Sequence, residues 1–137
     1  RYVIGEDGKA SQPIGWFQDK KDLDFPGVNS LAVDGIVWIG TDQGQILKYE
    51  RGNPVEFAVQ GLQEPFSSSL KVFTRENLDS IFVLEPGKNR ALRISKEGVF
   101  IKEIQSPSLG AATDILFSPT SNKAYAVAGS LVYELAL

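Results

Sequence analysis

VNSLAVDGIVWIGTDQGQILKYERGNPVEFAVQG, residues Val28 to Gly61, decides the fold, because it divides into four short apolar runs separated by turn residues. Ser30 to Val33 ends in Asp34-Gly35, a strong hairpin signal, since Gly accepts a positive φ without steric cost. Ile36 to Ile39 is β-branched and aromatic, which suits a pleated surface, and Gly40 to Gly44 supplies the next turn. Gln45 to Tyr49 alternates with period two, setting Ile46 and Lys48 on one side and Leu47 and Tyr49 on the other. After Arg51-Gly52-Asn53-Pro54, the run Val55 to Val59 places Val55, Phe57 and Val59 on one face. This spacing predicts a four-stranded antiparallel meander, and such a sheet cannot bury both faces alone.

The rest of the chain repeats that plan. Leu70 to Phe73, Ser80 to Leu84, Ala91 to Ile94 and Val99 to Ile104 form a second set, with turns at Arg75-Glu76-Asn77, Glu85 to Asn89 and Lys96-Glu97-Gly98. Thr113 to Phe117, Ala124 to Val127 and Leu131 to Leu137 begin a third, one strand short. Trp38, Phe82 and Tyr125 hold the same place in the three second strands, 44 and 43 residues apart. A period of ~40 to 50 residues is that of a four-stranded β-propeller blade. Before the first full unit, Tyr2 to Ile4 and Ile14 to Phe17 read as the last two strands of a preceding blade.

The expected fold is therefore all-β: a partial β-propeller of about three blades, where a closed ring typically has four to eight. Residues 1–27 are the tail of one blade, 28–61 and 62–107 are blades, 108–137 is an incomplete blade, and together they make one domain. Trp16, Trp38, Phe57, Phe73, Phe82, Phe100, Phe117 and Tyr125 lie within strands and are expected in the core between blades. The chain has 137 residues and is 42% apolar, enough for one domain with a real core and not a disordered composition. With no Met even at position 1, it is expected to be a piece of something longer, and no apolar run reaches the ~18 residues that span a bilayer. An open set of three blades needs its apolar end faces covered, by a second copy in a homodimeric ring or by further blades of a larger parent.

Two units carry resemblances. SIFVLEPGKNRALRISKEGVFIKEI resembles an NHL-type repeat, with its D-x-G-N-x-R-like turn at Leu84-Glu85-Pro86-Gly87-Lys88-Asn89-Arg90 and its acid-Gly turn at Lys96-Glu97-Gly98. VWIGTDQGQILKY resembles the W-I-G-T-x-x-G-L repeats of periplasmic sensor propellers, through Trp38-Ile39-Gly40-Thr41 and Gly44. The likeness spans about Val28 to Leu137 and concerns turn chemistry. It implies ligand, protein or nucleic-acid binding on one face of a ring, and an extracytoplasmic part of a larger protein.

Function is bounded mainly by exclusion. With no His and no Cys, Ser-His-Asp and Cys-His catalysis and His-containing metal sites are ruled out, so no catalytic residue and no cofactor is assigned. The six-bladed lactonase class offers an alternative, in which a divalent ion sits in a carboxylate and amide cage with Asn29, Asp34 and Asp114 as its members. A plainer reading of Asp34 and Asp42 is local turn bonding, and no metal ligand is assigned. Residues 71 to 102 carry seven Lys/Arg against four acids, but a pI near 5.0 argues against nucleic acid as the partner. The expected function is a non-enzymatic scaffold for a protein or peptide partner, with Phe25, Asp42, Phe66, Lys88 and Arg90 on a loop face. Aromatics and Arg dominate interface energetics, although Phe25 and Phe66 also suit plugs between blades.

Overall fold

A computed structural model describes residues 3–12, 15–17 and 27–137. Strands β1 (Val28–Val33), β2 (Ile36–Thr41), β3 (Ile46–Glu50) and β4 (Asn53–Val55) pair in chain order as one antiparallel sheet. β5 (Lys71–Phe73), β6 (Ser80–Glu85), β7 (Arg90–Ser95) and β8 (Phe100–Gln105) form the second, and β9 (Ala112–Ser118), β10 (Lys123–Ala128) and β11 (Leu131–Leu135) the third. The leading strand of each sheet touches that of the next, β1 with β5 and β5 with β9, so the sheets are stacked as adjacent propeller blades.

The period-two alternation explains the stack. In each blade the third residue of the second strand is the aromatic singled out by the repeat, and in the first two blades it faces the next. Trp38 packs with Ala32 and Ile46 against Val72, Ile81, Val83, Leu92 and Ile94 of the second blade. Phe82, with Leu84 and Ala91, packs against Ile115, Phe117, Ala124 and Ala126 of the third, its ring stacked on Phe117 at 4.4 Å. Neighbours one residue away, such as Ile81 and Val83, face back toward the preceding blade, so the second blade is buried on both sides. Tyr125 completes the series on a face with no further blade among the described residues, and is only half-buried. That face also carries Leu116 and Val132, the latter 67% exposed, and the opposite end of the stack carries Leu31 and Val33 at 61% and 57%.

Two expectations shift. The fourth run, expected at Val55 to Val59, pairs instead at Asn53–Val55, because Arg51 (φ 50°) and Gly52 (φ 85°) make a tight hairpin that brings Pro54 opposite Tyr49. Pro54 is tolerated there because β4 is an edge strand. Phe57 and Val59 then leave the sheet and pack on the core between the first two blades. At the start of the chain, Ile4 pairs with Ala10 in a local hairpin closed by Gly5 and Lys9. Gly15, Trp16 and Phe17 lie outside any strand, and Phe17 meets Tyr49 edge-on at 5.0 Å. Tyr2 and Ile14, at the ends of the two expected strands, fall outside the described residues.

Candidate partner-binding surface

Residues 56–70 carry the chain from the first blade to the second, and their course is set by two buried charges. Glu85 and Arg90 stand opposite each other at the ends of β6 and β7, flanking the 3-10 turn Pro86–Lys88, with Asn89 in the left-handed region. Their side chains are 0% and 1% exposed. Charges so buried persist only when paired and fully hydrogen-bonded. Glu85 Oε2 meets Arg90 Nε and Nη2, each at 2.7 Å, a two-pronged contact suited to the planar guanidinium. Glu85 Oε1 accepts from the Ser67 and Ser68 backbone N–H groups and from the Ser68 hydroxyl, at 2.8, 3.1 and 3.0 Å. Arg90 donates onward to Glu103 Oε2 and to the carbonyls of Glu64 and Pro65. Its guanidinium also lies 5.3 Å from the centre of the Phe66 ring. Glu85 Oε1 and Arg90 Nη2 thereby hold the connector, while Arg90 Nη1 ties the pair to Glu103 of β8.

The connector separates two grooves. One, of about 350 Å³, is lined by the apolar side chains of Ile46, Leu47, Phe57, Val59, Leu62 and Phe66, among others. Gly44 (φ +78°) closes one end: a side chain there would come within 2.8 Å of the Phe66 carbonyl carbon, so the tight turn lets β2 and β3 abut the connector. The other groove, of about 600 Å³, runs between Gly61, Gln63 and Glu64 on one side and Ile101, Lys102 and Gln105 of β8 on the other.

Of the five loop residues expected at the binding face, Phe66, Lys88 and Arg90 come together around this connector. Lys88 pairs with Glu64 at 2.7 Å and donates to the Pro65 carbonyl. Arg90 is buried as a structural strut, while Phe66 is half-buried at the groove wall. Asp42 is exposed in the β2–β3 turn, its N–H bonded to the Gly27 carbonyl. Phe25 lies outside the described residues. The residues that the reading of loops missed are Glu85 and Glu103. Glu103 lies within an expected strand, whereas Glu85 stands in the expected turn, where a Glu and an Arg bracketing Pro-Gly-Lys-Asn are cross-strand neighbours in any such hairpin.

The segment's positive charge is largely spent locally. Lys88, Arg90, Arg93 and Lys96 each pair with a carboxylate, Lys71 donates to the Asn29 carbonyl and side-chain oxygens, and Arg75 lies over Phe73. Asp34 meets Lys96 at 2.6 Å and accepts from the Trp38 indole and the Ile36 N–H. Burial pushes its carboxyl upward, but the bonds from Lys96, Trp38 and Ile36 outweigh that and hold it below the usual carboxylate range. The three residues of the lactonase-like alternative are thus engaged separately: Asn29 with Ser69, Leu70 and Lys71, Asp34 with Lys96, and Asp114, exposed, with the Ile115 N–H. Among the described residues no group of three or more His, Cys, Asp or Glu side chains converges on a metal position. No helix among them is long and apolar enough to cross a membrane.

No protein-family model matches the chain, and no curated protein matches it. Among solved structures, the Pan2 WD40 domain of Neurospora crassa superposes with a TM-score of 0.51 at 16% identity. The match covers 85% of this chain and 41% of that domain, so the chain spans less than half of its length. At that identity the likeness establishes the fold, and the fold is that of propeller blades.

Proposed function

We propose that the chain is a non-enzymatic scaffold that holds a protein or peptide partner in the apolar groove beside Phe66. The observation that carries this reading is the groove itself, walled by a connector that a buried ion pair has already ordered. A partner there meets a preformed surface and does not bear the cost of ordering the loop. Phe66 and the groove side chains Leu62 and Phe57 suit an aromatic or branched apolar anchor. Peptides selected from a random displayed library on the intact chain should share such an anchor. Phe66→Ala should weaken them about tenfold or more, the loss expected of an interface hot spot. Selection that yields no common anchor, or peptides that bind Phe66→Ala equally well, would remove the support for this reading.

Exposed apolar side chains at both ends of the described stack favour a second statement, that the chain works as part of a larger ring. We propose that a second copy supplies further cover, since Leu31 and Val33 at one end and Leu116 and Val132 at the other are exposed apolar side chains among the described residues. Light scattering across a range of concentrations should then give twice 15.0 kDa, and a monomer at all concentrations would overturn the dimer. The turns at Leu84 to Arg90 and Trp38 to Gly44 support placing the ring near the NHL-type and sensor-type propellers.

A further inference from the structure

β8 is the outer edge of the second blade, and the chain uses that edge itself. Gln60 bridges Val99 in parallel: its N–H bonds the Gly98 carbonyl at 2.8 Å, and its own carbonyl accepts from the Phe100 N–H at 3.0 Å. The pairing ends after this one residue, because Gly61 (φ +84°) turns the connector away toward Glu64 and Phe66. From Ile101 to Gln105 no other described residue bonds to the outer side of β8 through its backbone. That free edge is five residues long, about 17 Å at a strand's rise of ~3.4 Å per residue. It forms one wall of the groove of about 600 Å³.

The charges in that groove point to the chemistry of its occupant. Glu64 is paired with Lys88, Arg90 with Glu85 and Glu103, and Glu103 also accepts from Gln105 at 2.6 Å. Lys102 is the one charged side chain lining the groove that has no charged partner among the described residues. Beside it Ile101 is 47% exposed. A lysine in the middle of an edge opposes pairing with the same edge of a second copy and favours a strand that brings a carboxylate.

We propose that the β8 edge from Ile101 to Gln105 binds an extended acidic segment of a partner protein, which adds to the second blade as a further strand in line with Gln60. Backbone hydrogen bonds supply the affinity in such strand addition, and alternate side chains supply the selectivity. Here the selective contacts are a carboxylate on Lys102 and an apolar side chain against Ile101. This site is separate from the Phe66 groove, on the other side of the connector, so either stands without the other.

The test uses the intact chain, isotopically labelled for amide exchange, and a capped peptide in which Val alternates with Asp. At low salt the peptide should slow exchange of the β8 edge amides at least tenfold. Lys102→Glu, which changes a solvent-exposed side chain, should weaken binding about tenfold or more, and added salt should weaken binding to the unsubstituted chain. The same peptide N-methylated at every second residue should lose binding, while Phe66→Ala should leave it unchanged. The proposal is overturned by unprotected β8 amides, by equal binding of the N-methylated peptide or to Lys102→Glu, or by loss of binding in Phe66→Ala. Protection that arises without peptide and grows with protein concentration would identify a second copy as the occupant and overturn it equally.

Discussion

Arg90→Ala is expected to lower the free energy of unfolding by about 3–5 kcal/mol, the cost of leaving a buried carboxylate without its partner. Glu85 is 0% exposed and would keep its Ser67 and Ser68 contacts but lose the guanidinium that balances its charge. The Glu64 and Pro65 carbonyls and Glu103 would lose donors in the same step. Equilibrium urea unfolding of a two-state transition reads this directly, as a lower midpoint at unchanged slope. Replacing both partners by apolar residues of similar size, Glu85→Leu with Arg90→Met, should recover part of the loss, because no lone charge is then buried. Recovery should be incomplete, since the Ser67 and Ser68 N–H groups lose their acceptor, at about 1–3 kcal/mol for each group left buried and unpaired. A loss below about 1 kcal/mol for Arg90→Ala would mean that the pair does not order the connector.

Trp38→Ala should be comparably severe, at about 3–5 kcal/mol, because a large side chain buried between two blades leaves a cavity that stiff sheets cannot close. Trp38 is fully buried, meets Phe57 edge-on at 5.1 Å, lies under the Lys48 ammonium and donates its indole N–H to Asp34. Phe82→Ala should behave alike, since Phe82 stacks on Phe117 in the next interface. Tyr125→Ala, at the same place in the third blade, should cost far less, about 1 kcal/mol, because its face is half in water. Thermal or urea unfolding of the three variants side by side checks the series. A Tyr125→Ala loss as large as the other two, in a chain that remains monomeric, would contradict the open third face.

The fold is more legible in the sequence than the surface is. Blades, strand order and inter-blade faces were legible because they follow from local periodicity: apolar residues at every second position, Gly, Asp, Asn and Pro at the turns, and a recurring interval between Trp38, Phe82 and Tyr125. The fourth strand of the first blade was misplaced because Arg51 adopts a positive φ, which its residue type does not advertise. The surface was less legible. Lys88 and Arg90 read alike on paper, as cations in one turn, yet one sits at the edge of the connector and the other is sealed against Glu85.

What the sequence alone determined is the unit, since a strand and its hairpin turn are set by neighbours a few residues apart, whose φ preferences and alternation act within reach of the backbone. What only the tertiary structure decided is which charges are spent and which are free. Glu85 reaches back to Ser67, Lys96 to Asp34 and Lys71 to Asn29, across 18 to 62 residues of chain, and Lys102 alone in its groove is left without a charged partner among the described residues. The strength of a Coulomb or hydrogen-bonded contact depends on distance and burial in space, and neither is encoded in the order of residues along one strand.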